Sequence, residues 1–344
     1  MIQLLLPVCF LFIFGFFNLF GIRTNLGTTM LLNFGVGFIL FFVIKKLGWK
    51  FFRSNAQFFY WAFIGVLIIT YIIGLEVKGS KRWIDLLFFR FQGSEFFKVF
   101  FILFFADFFS KMNRQGSTFM NLAISLFYFL LPTFIIFKQP DLGNAMVYVF
   151  IYFVMVLFSS IPKKNVLYLM GAVLSLLPFG WIFLKEYQKQ RIFSFFQPHL
   201  DTQQNAYNMI QAMITIGSGT LLGRGLGLGT QSKLFFLPEN STDFAFSSLV
   251  EQFGFVGGAT TLILFAIILY LLFKRAHSYV SKEEEMSRFS FLYVVGIISF
   301  IFFQVFINIG MNLGILPIAG IALPFISYGG SMLVSLMIGF ALIP

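Results

Sequence analysis

The residue types best able to do chemistry collect in a few short stretches. Asp243 stands in Leu237-Pro238-Glu239-Asn240-Ser241-Thr242-Asp243-Phe244, just ahead of a long apolar run. A carboxylate in that place has two readings. In one, Thr242 or Asp243 caps the following helix, accepting its orphan N–H groups and meeting the positive end of its dipole. In the other, Asp243 is a general base facing a substrate hydroxyl, its proton affinity raised by a half-dry site and by the neighbouring carboxylates Glu239 and Glu251. Composition does not choose between them.

Trp83 follows two cations, Lys81 and Arg82. A tryptophan there is either an interfacial anchor or a platform for a sugar ring beside charges for a phosphate. Glu95 and Lys98 lie three apart and Asp107 and Lys111 four apart, so each pair shares a helix face and reads as a structural ion pair. Gly217-Ser218-Gly219 and Gly223-Arg224-Gly225-Leu226-Gly227 look like phosphate-cradling loops. No strand precedes them, however, and tight backbone turns explain the glycines equally well. Two histidines, His199 and His277, and one cysteine, Cys9, give no zinc constellation and no intrachain disulfide. The run Pro324-Phe325-Ile326-Ser327-Tyr328-Gly329-Gly330-Ser331 breaks a helix entry near membrane depth. Such a break is tolerated only where protein or a polar cavity satisfies the backbone, so Ser327 is a candidate for a cavity wall.

The elements that position these residues are set by solvent. Hydrophobic residues make up 59% of the chain and charged ones 11%, and the mean hydropathy is +0.90. So few charges cannot cover a water-soluble domain. The 55 phenylalanines fill lipid-facing and core positions as bulk. The net charge of +11 comes from residues scattered between apolar runs, with no basic arm for nucleic acid. The expected fold is therefore all-α, a polytopic membrane protein in a single domain over 1–344 with about ten spans. They lie near 2–22, 28–44, 56–74, 95–110, 119–137, 143–160, 165–184, 246–273, 289–311 and 323–343. The first run has neither a basic leader nor a small-residue cleavage site, and is expected to be a retained span.

Lys and Arg stay on the cytoplasmic side during insertion. Loops after even-numbered spans hold twelve of them: Lys45, Lys46, Lys50, Arg53, Lys111, Arg114, Lys163, Lys164, Lys274, Arg275, Lys282 and Arg288. The short loops on the other face hold two, Arg23 and Lys138. This predicts cytoplasmic termini and two long outward loops, 75–94 and 185–245. The longer one concentrates Arg191, Asp201, Arg224, Lys233, Glu239 and Asp243, which marks it as functional. Its 206–216 stretch is apolar at helical spacing and predicts a short helix in the outer interface.

Several segments, in order and spacing over nearly the whole chain, resemble the SEDS family (shape, elongation, division and sporulation). They are Gly79 to Ile84, Gln92-Gly93-Ser94-Glu95, Lys138-Gln139-Pro140-Asp141-Leu142-Gly143 and Tyr187-Gln188-Lys189-Gln190-Arg191-Ile192. Ile216 to Gly219, Gly229-Thr230-Gln231, Leu237-Pro238-Glu239, Thr242-Asp243-Phe244 and Asn308 to Ser331 follow. Lys138 to Gly143 and Asn308 to Ser331 look more like the rod-shape, RodA-type branch than the division branch. The resemblance implies a ten-helix peptidoglycan glycosyltransferase in the bacterial cytoplasmic membrane. It would polymerise lipid II on the outer face for elongation and shape, beside a class B penicillin-binding protein that crosslinks the glycan. The family's essential aspartate falls on Asp243 and its tryptophan on Trp83. Three departures stand out: Ser241 replaces the usual histidine, Gly93-Ser94-Glu95 replaces Pro-Ser-Glu, and Glu251-Gln252 replaces a paired glutamate. The chain also reaches Pro344 without the family's usual cytoplasmic tail.

On that resemblance Asp243 accepts the proton of the acceptor sugar hydroxyl in an inverting transfer. Arg191, Arg224, Lys233, Lys81 and Arg82 are candidates to meet the departing pyrophosphate, whose charge needs cations beside lipid. A divalent ion, Mg or Mn, can share that role, though no specific cage is evident. Gln231, Glu239, Ser327 and Trp83 complete the expected substrate contacts. Two rivals use the same features: a flippase for lipid-linked precursors and a non-catalytic scaffold for the penicillin-binding protein.

Overall fold

The protein is described by a computed structural model covering residues 2–77, 80–85, 90–112, 119–198, 205–280 and 284–344. Gly79, Arg114, His199, Asp201 and Lys282, all named above, lie outside these. The order is α1 (Ile2–Ile22), α2 (Thr24–Leu47), α3 (Trp49–Ser54), α4 (Ala56–Ile73), β1 (Leu75–Val77), β2 (Ser80–Asp85), β3 (Arg90–Phe91), α5 (Gly93–Ser110), α6 (Phe119–Lys138), α7 (Leu142–Phe158), α8 (Lys163–Phe183), α9 (Glu186–Phe196), α10 (Asn205–Ser218), α11 (Thr230–Lys233), α12 (Ala245–Val280), α13 (Glu285–Asn312) and α14 (Gly330–Ala341).

Nine of the ten expected spans fall on helices and the last does so only in its second half; among the described residues six helices are long and apolar enough to cross a bilayer. Their outward faces explain why so many apolar residues are needed. On α1, Val8, Leu11 and Leu19 are buried while Phe10, Ile13, Phe17 and Phe20 are exposed. A helix apolar all round, with one face against protein, turns the other to lipid. The exception among the spans is the last. Where a helix over 323–343 was expected, α14 starts only at Gly330. Gly314, Gly320 and Phe325 have φ of 70°, 67° and 62°, values incompatible with a right-handed helix. The second difference is the shorter outer loop, which forms a three-stranded antiparallel sheet in the order β1-β2-β3, pairing Leu75 with Trp83 and Ile84 with Phe91.

The chain folds into two compact units. The first comprises 1–35, 183–271 and 302–329, the second 36–182, 272–301 and 330–344. In the second unit α5 is the central helix, buried along almost its whole length. Phe97, Phe101 and Phe105 recur every fourth residue and form a ladder, with ring centroids 6.0 and 4.6 Å apart. Tyr148 and Tyr152 of α7 meet this ladder edge-on at 5.0 and 5.3 Å, pairs worth about 0.5–1.5 kcal/mol each beyond their burial.

Two polar clusters lie in this unit. At one end Arg53, in the last turn of α3, pairs with Asp107 of α5 at 2.9 Å and with Glu285 at the start of α13. Lys111 joins Asp107 at 2.6 Å. Three loops assigned to the same side therefore meet. Elsewhere Arg82 of β2 pairs with Asp141, and the Ser331 hydroxyl donates to Arg90 O while accepting Gln92 N–H. Loops assigned to the opposite side meet there.

In the first unit a buried cluster of Met209, Ala212, Leu237, Phe244, Met311 and Ile318 ties α10, the 237–244 turn and the end of α13 together. The expected 206–216 helix is α10. α12 is interrupted at Gly254 (φ 69°, ψ −169°), and the freed backbone groups are taken up by the glycine-rich stretch. Arg224 and Gly225 donate to Glu251 O and Gln252 O, while Phe255 and Val256 donate to Thr220 O and Leu221 O. A Cβ on Gly223 would stand 2.2 Å from Gln252 O. The glycines thus serve close backbone approach, the second of the two readings above.

Candidate active site

Asp243 sits at the turn into α12, and the backbone around it is fastened at three successive carbonyls. Tyr328 N–H donates to Ser241 O at 2.7 Å, and the Ser327 hydroxyl donates to Thr242 O at 2.6 Å. Two amides of α13, Asn308 Nδ2 and Asn312 Nδ2, donate to Asp243 O at 2.9 and 3.1 Å. The segment preceding α14 is therefore non-helical because it supplies this clamp. Its own backbone is satisfied in return: Ser327 Oγ accepts Leu323 N–H and Asn308 Nδ2 also donates to Ile321 O at 2.7 Å, as a break at membrane depth requires.

The capping role has another holder. Asn312 Oδ1 accepts Ser247 N–H at 3.1 Å and the Ser247 hydroxyl at 2.6 Å, the first-turn donor that a capping side chain ordinarily satisfies. One oxygen of the Asp243 carboxylate faces Gly320. If Gly320 carried a Cβ, that atom would lie 3.7 Å from Asp243 Oδ2 and 3.4 Å from Arg191 Nη1. Arg191 reaches this point from α9, its guanidinium 5.7 Å from the Tyr187 ring. A carboxylate and a guanidinium separated by more than fifty residues in sequence thus converge on one glycine.

Glu251, expected to act on Asp243, turns to other work. It is fully buried and accepts Gln231 N–H at 2.8 Å, Ser232 N–H at 2.9 Å and the Ser232 hydroxyl at 2.5 Å, holding the start of α11. Gln252, where the family has a second glutamate, uses both ends of its amide. Nε2 donates to Asn18 O and Oδ1 at 3.0 and 2.7 Å, and Oε1 accepts Gly227 N–H at 2.9 Å. Asn18 in turn donates to Ala245 O at 3.1 Å. In the sequence Asn308 stands out only as the first residue of a resembling segment, and Asn18 and Asn312 carry no role there. Their signal was available: a fully buried amide inside an apolar span has to hold something.

The remaining candidates of this unit line the outer loop. Lys233 Nζ donates to Gly227 O at 2.8 Å and Arg224 Nε to Ser218 O at 3.1 Å; both side chains are otherwise exposed. Gln231 Oε1 is buried without a hydrogen-bond partner among the described residues. Glu239, with φ of 51°, accepts the Thr242 hydroxyl at 2.9 Å and shapes the turn before Asp243.

Trp83, Lys81, Arg82, Glu95 and Lys98 belong to the other unit. Trp83 is half-buried on β2 and Lys81 exposed, with the Arg82 guanidinium 6.0 Å from the indole. Arg82 is engaged by Gln139 O, Pro140 O and Asp141, anchoring the sheet to the turn before α7. Lys98 Nζ stands 2.7 Å from Glu95 Oε1, both buried, the ion pair their spacing predicts. Among the described residues no three His, Cys, Asp or Glu side chains gather to hold a metal ion.

A family model for cell cycle proteins, FtsW/RodA/SpoVE, matches residues 6–344. The peptidoglycan glycosyltransferase MrdB of Escherichia coli is 34% identical over 90% of this chain and 82% of its own length. The stage V sporulation protein E of Bacillus subtilis is 34% identical over 88% and 81%. A solved structure describing the coordination of polymerisation and crosslinking by a peptidoglycan synthase complex aligns with a TM-score of 0.84 at 28% identity, over 99% of this chain and 95% of that one. The rod shape determining protein RodA of Thermus thermophilus aligns at 0.73 and 26%, over 99% and 94%. The chain belongs to the FtsW/RodA/SpoVE, or SEDS, family of multi-pass bacterial membrane proteins.

Proposed function

We infer that this chain is a peptidoglycan glycosyltransferase that joins lipid II into glycan strands on the outer face of the cytoplasmic membrane, in service of elongation and cell shape. Relatives named for that activity supply the reaction class. What carries it to particular residues is the convergence of Asp243 Oδ2 and Arg191 Nη1 at Gly320.

Asp243 accepts the proton of the acceptor sugar 4-hydroxyl while that oxygen attacks the anomeric carbon of the donor. The bond from that carbon to the lipid pyrophosphate breaks with inversion, and the pyrophosphate leaves with the bonding electrons. Arg191, which converges with Asp243 on Gly320, is the cation proposed to meet the departing charge, with Lys233 and Arg224 of the same unit as further candidates. Trp83 presents a ring face to a sugar, Gln231 an unspent acceptor oxygen, and Glu239 and Ser327 hold the turn from which Asp243 projects. In the second unit an apolar groove of about 720 Å³ between α6 and α7, lined by Phe127, Leu130, Phe134, Met146 and Val149 among others, suits polyprenyl chains. Their burial contributes about 0.8 kcal/mol per methylene. A class B penicillin-binding protein is the proposed partner, in keeping with the similarity to a chain of a peptidoglycan synthase complex.

The test supplies lipid II to the purified protein with its transpeptidase. Asp243→Asn is expected to keep fold and lipid binding while glycan synthesis falls on the order of 10²–10⁴-fold, the usual contribution of a positioned base. Undiminished polymer from that variant would remove the base assignment.

A further inference from the structure

Gly320 is set apart by where its missing side chain would go. A Cβ there meets no backbone and makes no clash. It reaches only Arg191 Nη1 at 3.4 Å and Asp243 Oδ2 at 3.7 Å, ordinary contact distances. An atom at that point therefore touches both groups, and one about half an ångström closer hydrogen-bonds to either. The Gly320 side of this point is also tied to the Asp243 backbone. One amide, Asn308 Nδ2, donates to Ile321 O at 2.7 Å and to Asp243 O at 2.9 Å, so the residue after Gly320 and the backbone of Asp243 hang from the same nitrogen. Asn308 is fully buried and is fastened further by Asn312, whose Nδ2 donates to Asn308 O at 2.8 Å. The two backbone segments cannot drift apart without breaking that bridge.

We propose that Gly320 is a shape-determining residue of the active site: its bare Cα faces the point on which Asp243 Oδ2 and Arg191 Nη1 converge, and the Asn308 bridge fixes the backbone beside Gly320 relative to that of Asp243. Around that point the acceptor oxygen lies toward Asp243 and the donor phosphate oxygen toward Arg191. The inference rests on the reading of Asp243 as the base. It adds that chemistry occurs in front of Gly320, and that a single methyl there displaces the reacting atoms.

The experiment uses the full chain with its transpeptidase in liposomes, with lipid II on the outer surface, and measures kcat and KM separately. Gly320 has φ of 67°, so Gly320→Ala also carries backbone strain. Gly48→Ala is the control, because Gly48 has φ of 82° and nothing within 4 Å of its Cβ position. Both are expected to lower the melting temperature similarly. Only Gly320→Ala is expected to lose kcat, on the order of 10²-fold, as an ångström of misplacement does, while KM changes little. Should Gly320→Ala fail to fold, Gly320→Asn gives the reading, since asparagine tolerates this backbone region and fills the space further. Wild-type kcat in either folded variant overturns the proposal. If Asp243→Asn also polymerises normally, the base assignment fails; if Asp243→Asn is dead and Gly320→Ala or Gly320→Asn is not, only the present inference fails.

Discussion

At the scale of single residues, the site depends on amides as much as on charges. Asn312 makes five hydrogen bonds, its Oδ1 accepting two from Ser247 and its Nδ2 donating to Asp243 O, Asn308 O and Asn308 Oδ1. Asn312→Ala leaves buried backbone groups unpaired and is expected to cost about 2 kcal/mol, read as a lower melting temperature in detergent; an unchanged melting curve would contradict it. Arg191 is predicted to act by charge and by planar geometry together. Arg191→Ala should lower glycan synthesis on the order of 10²-fold, with Arg191→Lys recovering part of that because an ammonium restores only the point charge. Full activity of the alanine variant in a lipid II assay would exclude Arg191. The aspartate was recognisable in the sequence by its neighbours, but the arginine's place was not. Five cations looked equivalent there, and one of them, Arg82, proves to be occupied by Asp141 and two carbonyls.

At the scale of elements, long apolar runs are easy to read because a span leaves few alternatives to a helix. What escaped are places where backbone conformation departs from that default. The helix over 323–343 fails in its first part, where Phe325 has φ of 62°, and the break in α12 at Gly254 sits inside a long apolar run. Each break is matched by a second stretch of backbone that takes up the freed groups, and such pairing between distant segments leaves no local pattern. The small sheet of β1 to β3 was also hidden, since its strands are two to six residues long and lie in a polar loop. The pairing between 220–225 and 251–256 predicts a sharp contrast among neighbours. Gly223→Ala forces a Cβ to within 2.2 Å of Gln252 O and should destabilise by about 2–4 kcal/mol, exposing the outer loop to limited proteolysis. Leu222→Ser, at a residue 75% exposed, keeps the backbone exchange and should leave the digestion pattern unchanged.

At the scale of the whole molecule, the polar contacts of the second unit fall into two sets. Arg53, Asp107, Lys111 and Glu285 gather at one end of the second unit, and Arg82, Asp141, Gln92 and Ser331 come together in another set. The proposed orientation can be checked directly in a Cys9→Ser background. A cysteine at Lys81 should react with an impermeant maleimide on intact cells, and one at Lys111 only after permeabilisation; the reverse pattern would invert the topology. The division of the chain has a further consequence for its synthesis. The first unit is completed by Phe302–Gly329 and the second by Gly330–Pro344. Each unit therefore waits for segments made well after its first helices have entered the bilayer. Until Asn308 and Asn312 have been made, Asp243 lacks the amides that hold its backbone, so the turn into α12 is fastened only after the helix it precedes has been synthesised.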